Sequence, residues 1–71
     1  MEKDIITEIG LICKSYRESI GSYQFEVAQD TGYSSLNVSS FENGRNNNML
    51  LLLWYIKKGL PISELPDPKR K

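Results

Sequence analysis

The chain has 71 residues with 39% hydrophobic and 25% charged side chains and balanced Lys+Arg and Asp+Glu counts of 9 each, a composition that fits one small globular domain and excludes a disordered or fibrous one. It contains no histidine and one cysteine, Cys13, which excludes a Cys/His zinc site, an internal disulfide framework and Ser-His or Cys-His catalysis. The longest apolar run, Met49 to Ile56, is eight residues, far short of the ~20 that span a bilayer.

The N-terminal stretch MEKDIITEIG carries acids and no long apolar run, unlike a signal peptide. The expectation is a cytoplasmic domain that is not an enzyme, with no cofactor, no metal and no membrane partner. The neutral total hides an asymmetry. Residues 1–30 hold three basic and six acidic side chains, and residues 31–71 hold six basic and three acidic. Phosphate-binding surfaces depend on local charge rather than the sum.

In the first segment, Ile5, Ile6, Ile9, Ile12, Cys13, Tyr16 and Ile20 form a one-sided stripe of helical period. Asp4 and Glu8 suit its N-terminal turn, and Gly21 stands where a helix stops. The spacing predicts a helix over about 3–19. Cys13, on the stripe, reads as a small buried hydrophobe. The second segment, SYQFEVAQDTG, predicts a two-turn helix over about 24–31, stopped by Gly32. The third, YSSLNVSSFENGR, alternates locally like a strand and ends on an Asn-Gly hairpin signal. Its right flank is no strand, however, and Val38 and Phe41 are three apart. A helix over about 35–43 follows, with Ser34 as N-cap and Gly44 as stop. MLLLLWYIKK predicts a helix over about 49–58, capped by Asn48 and ended by Gly59 and Pro61. Ile62 and Leu65 make a last short turn, and residues 67–71 a basic flexible tail. The fold class is all-α: a compact bundle of four to five short helices in one domain over 1–66.

The run from Ser22 to Arg45 resembles the helix-turn-helix domain of phage repressors and Cro-type regulators (the XRE family). The residues that carry the resemblance are Gln24 opening the second helix, Ala28 four residues on, Gly32 at the turn, and Glu42-Asn43-Gly44-Arg45 closing the third. Arg17 lies seven before Gln24, where the family keeps an arginine. Leu53, Ile56, Leu60 and Ile62 fall on its later core positions, so the resemblance runs from about Ile5 to Leu65. Tyr23 stands where the family prefers a small polar cap, Asn48 replaces a proline, and Lys57 replaces a small apolar residue.

The resemblance implies a sequence-specific DNA-binding transcription regulator whose helix 35–43 enters the major groove. The residues give physical reasons for the pattern. Ala28, the only alanine, allows two helices to cross closely, and Gly32 allows a positive φ. With Val38 and Phe41 inward, Ser35, Leu36, Ser39 and Ser40 are offered to base edges. Gln24, Asn43 and Arg45 are the candidate phosphate contacts, and Arg17 with Glu42 a structural ion pair. No Arg, Lys or Gln lies on the third helix.

Helix 49–58 has more apolar residues than one face can bury. With Leu50, Leu53, Ile56 and Leu60 assigned to the core, Leu51, Leu52, Trp54 and Tyr55 are left for a twofold homodimer or partner interface, or to pack beneath the C-terminal turn. The tail residues Lys69, Arg70 and Lys71 read as a solvated end within reach of a phosphate backbone. Partners are then double-stranded DNA and a second copy of the chain. The alternative is a protein-interaction module on the same fold, an antirepressor or inhibitor that docks another regulatory protein, a polymerase or a nuclease.

Overall fold

The computed structural model describes residues 2–66; the basic tail expected at 67–71 lies outside the described residues. Four helices run in order: α1 Glu2–Ser19, α2 Gln24–Thr31, α3 Ser35–Glu42 and α4 Met49–Lys58, followed by a 3-10 turn at Ile62–Glu64. No strand occurs among the described residues.

Each boundary has a local cause. α1 ends at Ser19, and the chain turns at Gly21, whose φ of 73° an L side chain resists. Ile20 lies past the helix and is exposed, so the apolar stripe of α1 ends at Tyr16. At the start of α2 the cap comes from within the first turn. The Glu26 carboxylate accepts from the Tyr23 backbone N–H at 2.9 Å and from the Ser22 hydroxyl at 2.6 Å. These two bonds hold the Glu26 carboxyl below the usual carboxylate range. Gly32, at φ 82°, reverses the chain after α2.

α3 opens on Ser34, whose hydroxyl accepts from Asn37 N–H at 3.1 Å. It stops one residue short of the expected end, with Asn43 as its C-cap. α4 opens on Asn48, whose side-chain oxygen accepts from Leu50 and Leu51 N–H at 2.9 and 3.2 Å. Lys57 and Lys58 occupy its last turn, where the helix dipole favours cations.

α1 packs on α3 and α4, and α2 packs on α3 and α4. One core results: Cys13, Val27, Ala28, Val38, Phe41, Leu51, Trp54, Tyr55 and Leu60. Two close approaches set its geometry. A Cβ on Gly10 would sit 2.6 Å from the Phe41 carbonyl oxygen and 2.7 Å from that of Glu42. Glycine thus lets α1 lie directly against the end of α3. A Cβ on Gly44 would likewise lie 2.7 Å from the Thr7 Cα, so the turn after α3 runs directly against α1; Ala28 is buried on α2 beside Val27.

The structure corrects the orientation expected for α4. Leu51, Trp54 and Tyr55 are buried in the monomer and Leu52 is half-buried, so this set forms no dimer or partner surface. Leu50 and Leu53, assigned to the core by sequence, are 59% and 45% exposed, and Ile62 is also exposed. Ile56 is half-buried and Leu60 buried. The cause is hydrogen bonding. The Trp54 indole N–H donates to Asp30 at 2.8 Å, and the Tyr55 hydroxyl donates to Glu42. Only with α4 turned this way do both polar tips meet acceptors on α2 and α3. The rings also pack together: Trp54 meets Tyr55 edge-on with centroids 5.1 Å apart, and Phe41 stacks on Tyr55 at 5.8 Å.

Candidate nucleic-acid interface

The candidate surface is built on α3 and depends on how that helix is held from behind. Val38, Phe41 and Glu42 form its buried side. Glu42 is the only charged residue on the helix, and it faces inward. Its carboxylate accepts from Arg17 Nε at 2.8 Å and Nη2 at 3.1 Å, from Gln24 Nε2 at 3.1 Å, and from the Tyr55 hydroxyl. Arg17 Nη1 also donates to the Ser22 carbonyl at 2.8 Å. One carboxylate thus ties the C-terminus of α3 to α1, to the first residue of α2 and to α4.

Burial opposes the charge of Glu42, but the hydrogen bonds from Arg17, Tyr55 and Gln24 outweigh it and hold the carboxyl below its ordinary range. The bond to Glu42 raises the Arg17 guanidinium in turn. Burial, and then the hydrogen bond to Glu42, push the Tyr55 hydroxyl upward. Burial and the Glu42 charge push the Cys13 thiol up to about 12, which keeps it protonated and unreactive at neutral pH.

The outward side of α3 carries short neutral groups. Ser35 is exposed, Leu36 is 76% exposed, and Ser39 and Ser40 are half-buried. Leu36, Ser40 and Asn43 follow one another at i, i+4 and i+7, on the side of the helix opposite the core residues. Asn43 is exposed, and its side-chain nitrogen donates to the Ser39 hydroxyl at 3.3 Å. Of the four base-contact candidates, the structure therefore stands Ser35 and Leu36 clear of the body, while Ser39 and Ser40 sit lower.

Among the phosphate candidates, Arg45 is exposed and its side chain makes no hydrogen bond or ion pair among the described residues. Gln24 differs from expectation. It is half-buried, with its amide nitrogen turned onto Glu42, so its first partner is the ion-pair cluster. The sequence reading passed over Asn37, an exposed amide in the first half of α3. The signal was present, because Ser34 as N-cap places Asn37 in the first turn, the part of a reading helix that meets base edges. It also passed over Tyr23 and Phe25, both more than half exposed, whose rings stack at 5.6 Å with planes 7° apart.

Elsewhere, Lys58 lies 5.3 Å from the centre of the Trp54 ring and 4.0 Å from Asp30, closing the α2–α4 seam from outside. A groove of about 440 Å³ runs between α1 and the C-terminal turn, lined by Leu11, Ile12, Tyr16, Leu60, Pro61 and Glu64 among others, with no residue from α2 or α3. No cluster of metal-ligating side chains occurs among the described residues, and no described helix is long and apolar enough to cross a membrane. No family model, curated protein or solved structure matches the chain.

Proposed function

We propose that the protein is a small sequence-specific DNA-binding transcription regulator of the phage repressor or Cro type, acting in the cytoplasm of a bacterial or phage-infected cell. α3 enters the major groove with its first turn against base edges, and Arg45 anchors the phosphate backbone just beyond its end. One observation carries this reading. A two-turn helix is joined through a left-handed Gly32 to a second short helix, whose inner side is locked by Val38, Phe41 and Glu42 while Ser35 and Leu36 stand in solvent. That is the local geometry a reading helix requires, and it coincides with the residues Gln24, Ala28, Gly32 and Arg45 that carry the sequence resemblance.

A twofold dimer would read two half-sites about one helical turn apart. With Trp54 and Tyr55 in the core, the apolar side chains that α4 leaves to a second copy are Met49, Leu50 and Leu53.

The experiment is selection of bound duplexes from a random-sequence pool, followed by titration of the enriched duplex at several salt concentrations. The expected result is an enriched motif and binding that weakens with salt. Arg45→Ala should bind more weakly and lower the slope of log K against log salt by about one. No enrichment, or unchanged binding by Arg45→Ala, overturns the assignment.

A second reading is favoured by the stacked, exposed Tyr23 and Phe25 at the start of α2, together with the lack of exposed charge on α3. Aromatic side chains of this kind anchor protein interfaces. Under it the same fold docks another regulatory protein, a polymerase or a nuclease. Co-purification of a protein partner that survives nuclease treatment, without selection of any duplex, would decide for it.

A further inference from the structure

The outer side of α3 offers little with which to tell one base pair from another. Ser35, Ser39 and Ser40 carry hydroxyls, which donate or accept and so fit most base edges. No guanidinium, ammonium or carboxylate faces outward from this helix, because its one charged residue, Glu42, is buried. The selective groups are Asn37, on the flank, and Leu36, on the side opposite the core. Leu36 has the largest fractional exposure of any large hydrophobic residue among those described, at 76%. No described residue covers it, and it stands in the first helical turn.

A leucine discriminates in the major groove through one feature only. Of the groups exposed there by the four bases, the C5-methyl of thymine is the apolar one. We infer that Leu36 is a specificity-determining residue that reads a thymine through its 5-methyl group, an inference that rests on the DNA-binding reading above. Ser35 and Ser40 flank that contact and hold register without selecting the base.

The test uses the full chain and duplexes enriched from the random pool. Each thymine of the enriched site is replaced in turn by deoxyuridine, which removes the methyl and leaves the hydrogen-bonding edge intact. The expected result is one thymine per half-site at which this replacement weakens binding about fourfold, the effect of one methyl returned to water. In Leu36→Ala the thymine and deoxyuridine duplexes should bind alike. Because Leu36 is exposed, this variant keeps the fold, and an unchanged thermal melt by circular dichroism verifies that.

If every deoxyuridine duplex binds as tightly as its thymine parent, the inference fails while the DNA-binding reading stands. If Leu36→Ala retains the full methyl penalty, another residue reads that base and the inference again fails. If no duplex is enriched at all, the functional reading fails first and takes this inference with it.

Discussion

Glu42→Gln is the substitution that most severely tests how α3 is held. The native carboxylate is almost completely buried and accepts four hydrogen bonds, two of them from the Arg17 guanidinium at 2.8 and 3.1 Å. A glutamine keeps one acceptor oxygen and puts an NH2 group against donors. Arg17, only 6% exposed, is left as a buried cation whose one remaining carboxylate neighbour among the described residues is the exposed Glu18 at 4.0 Å. Removing one partner of a buried pair costs about 3–5 kcal/mol. A core in a domain this small supplies only about 3–5 kcal/mol of net stability, so the variant should be largely unfolded at 25 °C. Trp54, the single tryptophan, is buried against Tyr55 and provides the fluorescence signal for urea titration. With a slope of about 1 kcal/mol/M, the low end of the range for small proteins, the midpoint should fall by about 3 M or vanish. The double replacement Arg17→Met with Glu42→Leu should recover part of the loss, since it removes both charges and leaves Tyr55 and Gln24 short of an acceptor and the Ser22 carbonyl short of a donor. A midpoint within about 1 M of wild type for Glu42→Gln would refute the placement of this carboxylate as the hub of the fold.

Stability should also fall in acid, and the sign follows from the direction of the shift. The folded state holds the Glu42 carboxyl below its ordinary value, so the unfolded chain takes up the proton first. The stabilisation is complete above the ordinary glutamate pKa of about 4.3 and is lost as pH falls through the lower folded value. Melting temperature by circular dichroism should be level from pH 7 to about 5 and then decline. The decline should persist in Glu26→Gln, which removes the other depressed carboxyl among the described residues; a melting temperature that holds or rises between about pH 4.5 and 3 would contradict the mechanism. Gly10→Ala should destabilise by about 1–3 kcal/mol, because its Cβ would meet two backbone carbonyls of α3, whereas a mid-helix glycine in open space would gain about 1 kcal/mol from the same change. Urea denaturation gives the sign directly.

The helices were legible in the sequence because their ends are marked by residues with local chemistry. Ser34 and Asn48 cap, Gly21 and Gly32 take positive φ, and α2 and α4 begin and end where these signals place them. The pairing of Arg17 with Glu42 was legible as well, since the family resemblance singled out both residues. The face of α4 was not. Eight successive apolar residues carry no periodicity, so hydrophobicity alone leaves the helix free to rotate. What fixes it is a pair of polar atoms, the Trp54 indole N–H and the Tyr55 hydroxyl, and their acceptors Asp30 and Glu42 lie 24 and 13 residues away. The sequence shows that such tips need partners but not which ones. The bond of Gln24 was hidden for a related reason. The resemblance places this residue at the start of α2, but its donation to Glu42 depends on where α3 delivers that carboxylate. Gly10 gave no sequence signal beyond its own identity, because only the packed structure reveals that the end of α3 passes within reach of its missing Cβ.

The central claim is that the first turn of α3 and Arg45 meet the duplex. The direct measurement is the change in backbone amide NMR shifts of the labelled chain when an enriched duplex is added at moderate salt. The expected changes centre on residues 35–37, 40 and 45 and spare the α1 side of the pocket at Leu11 and Ser15. Shifts gathered at Tyr23, Phe25 and the exposed leucines of α4, with residues 35–37 unmoved, would contradict it.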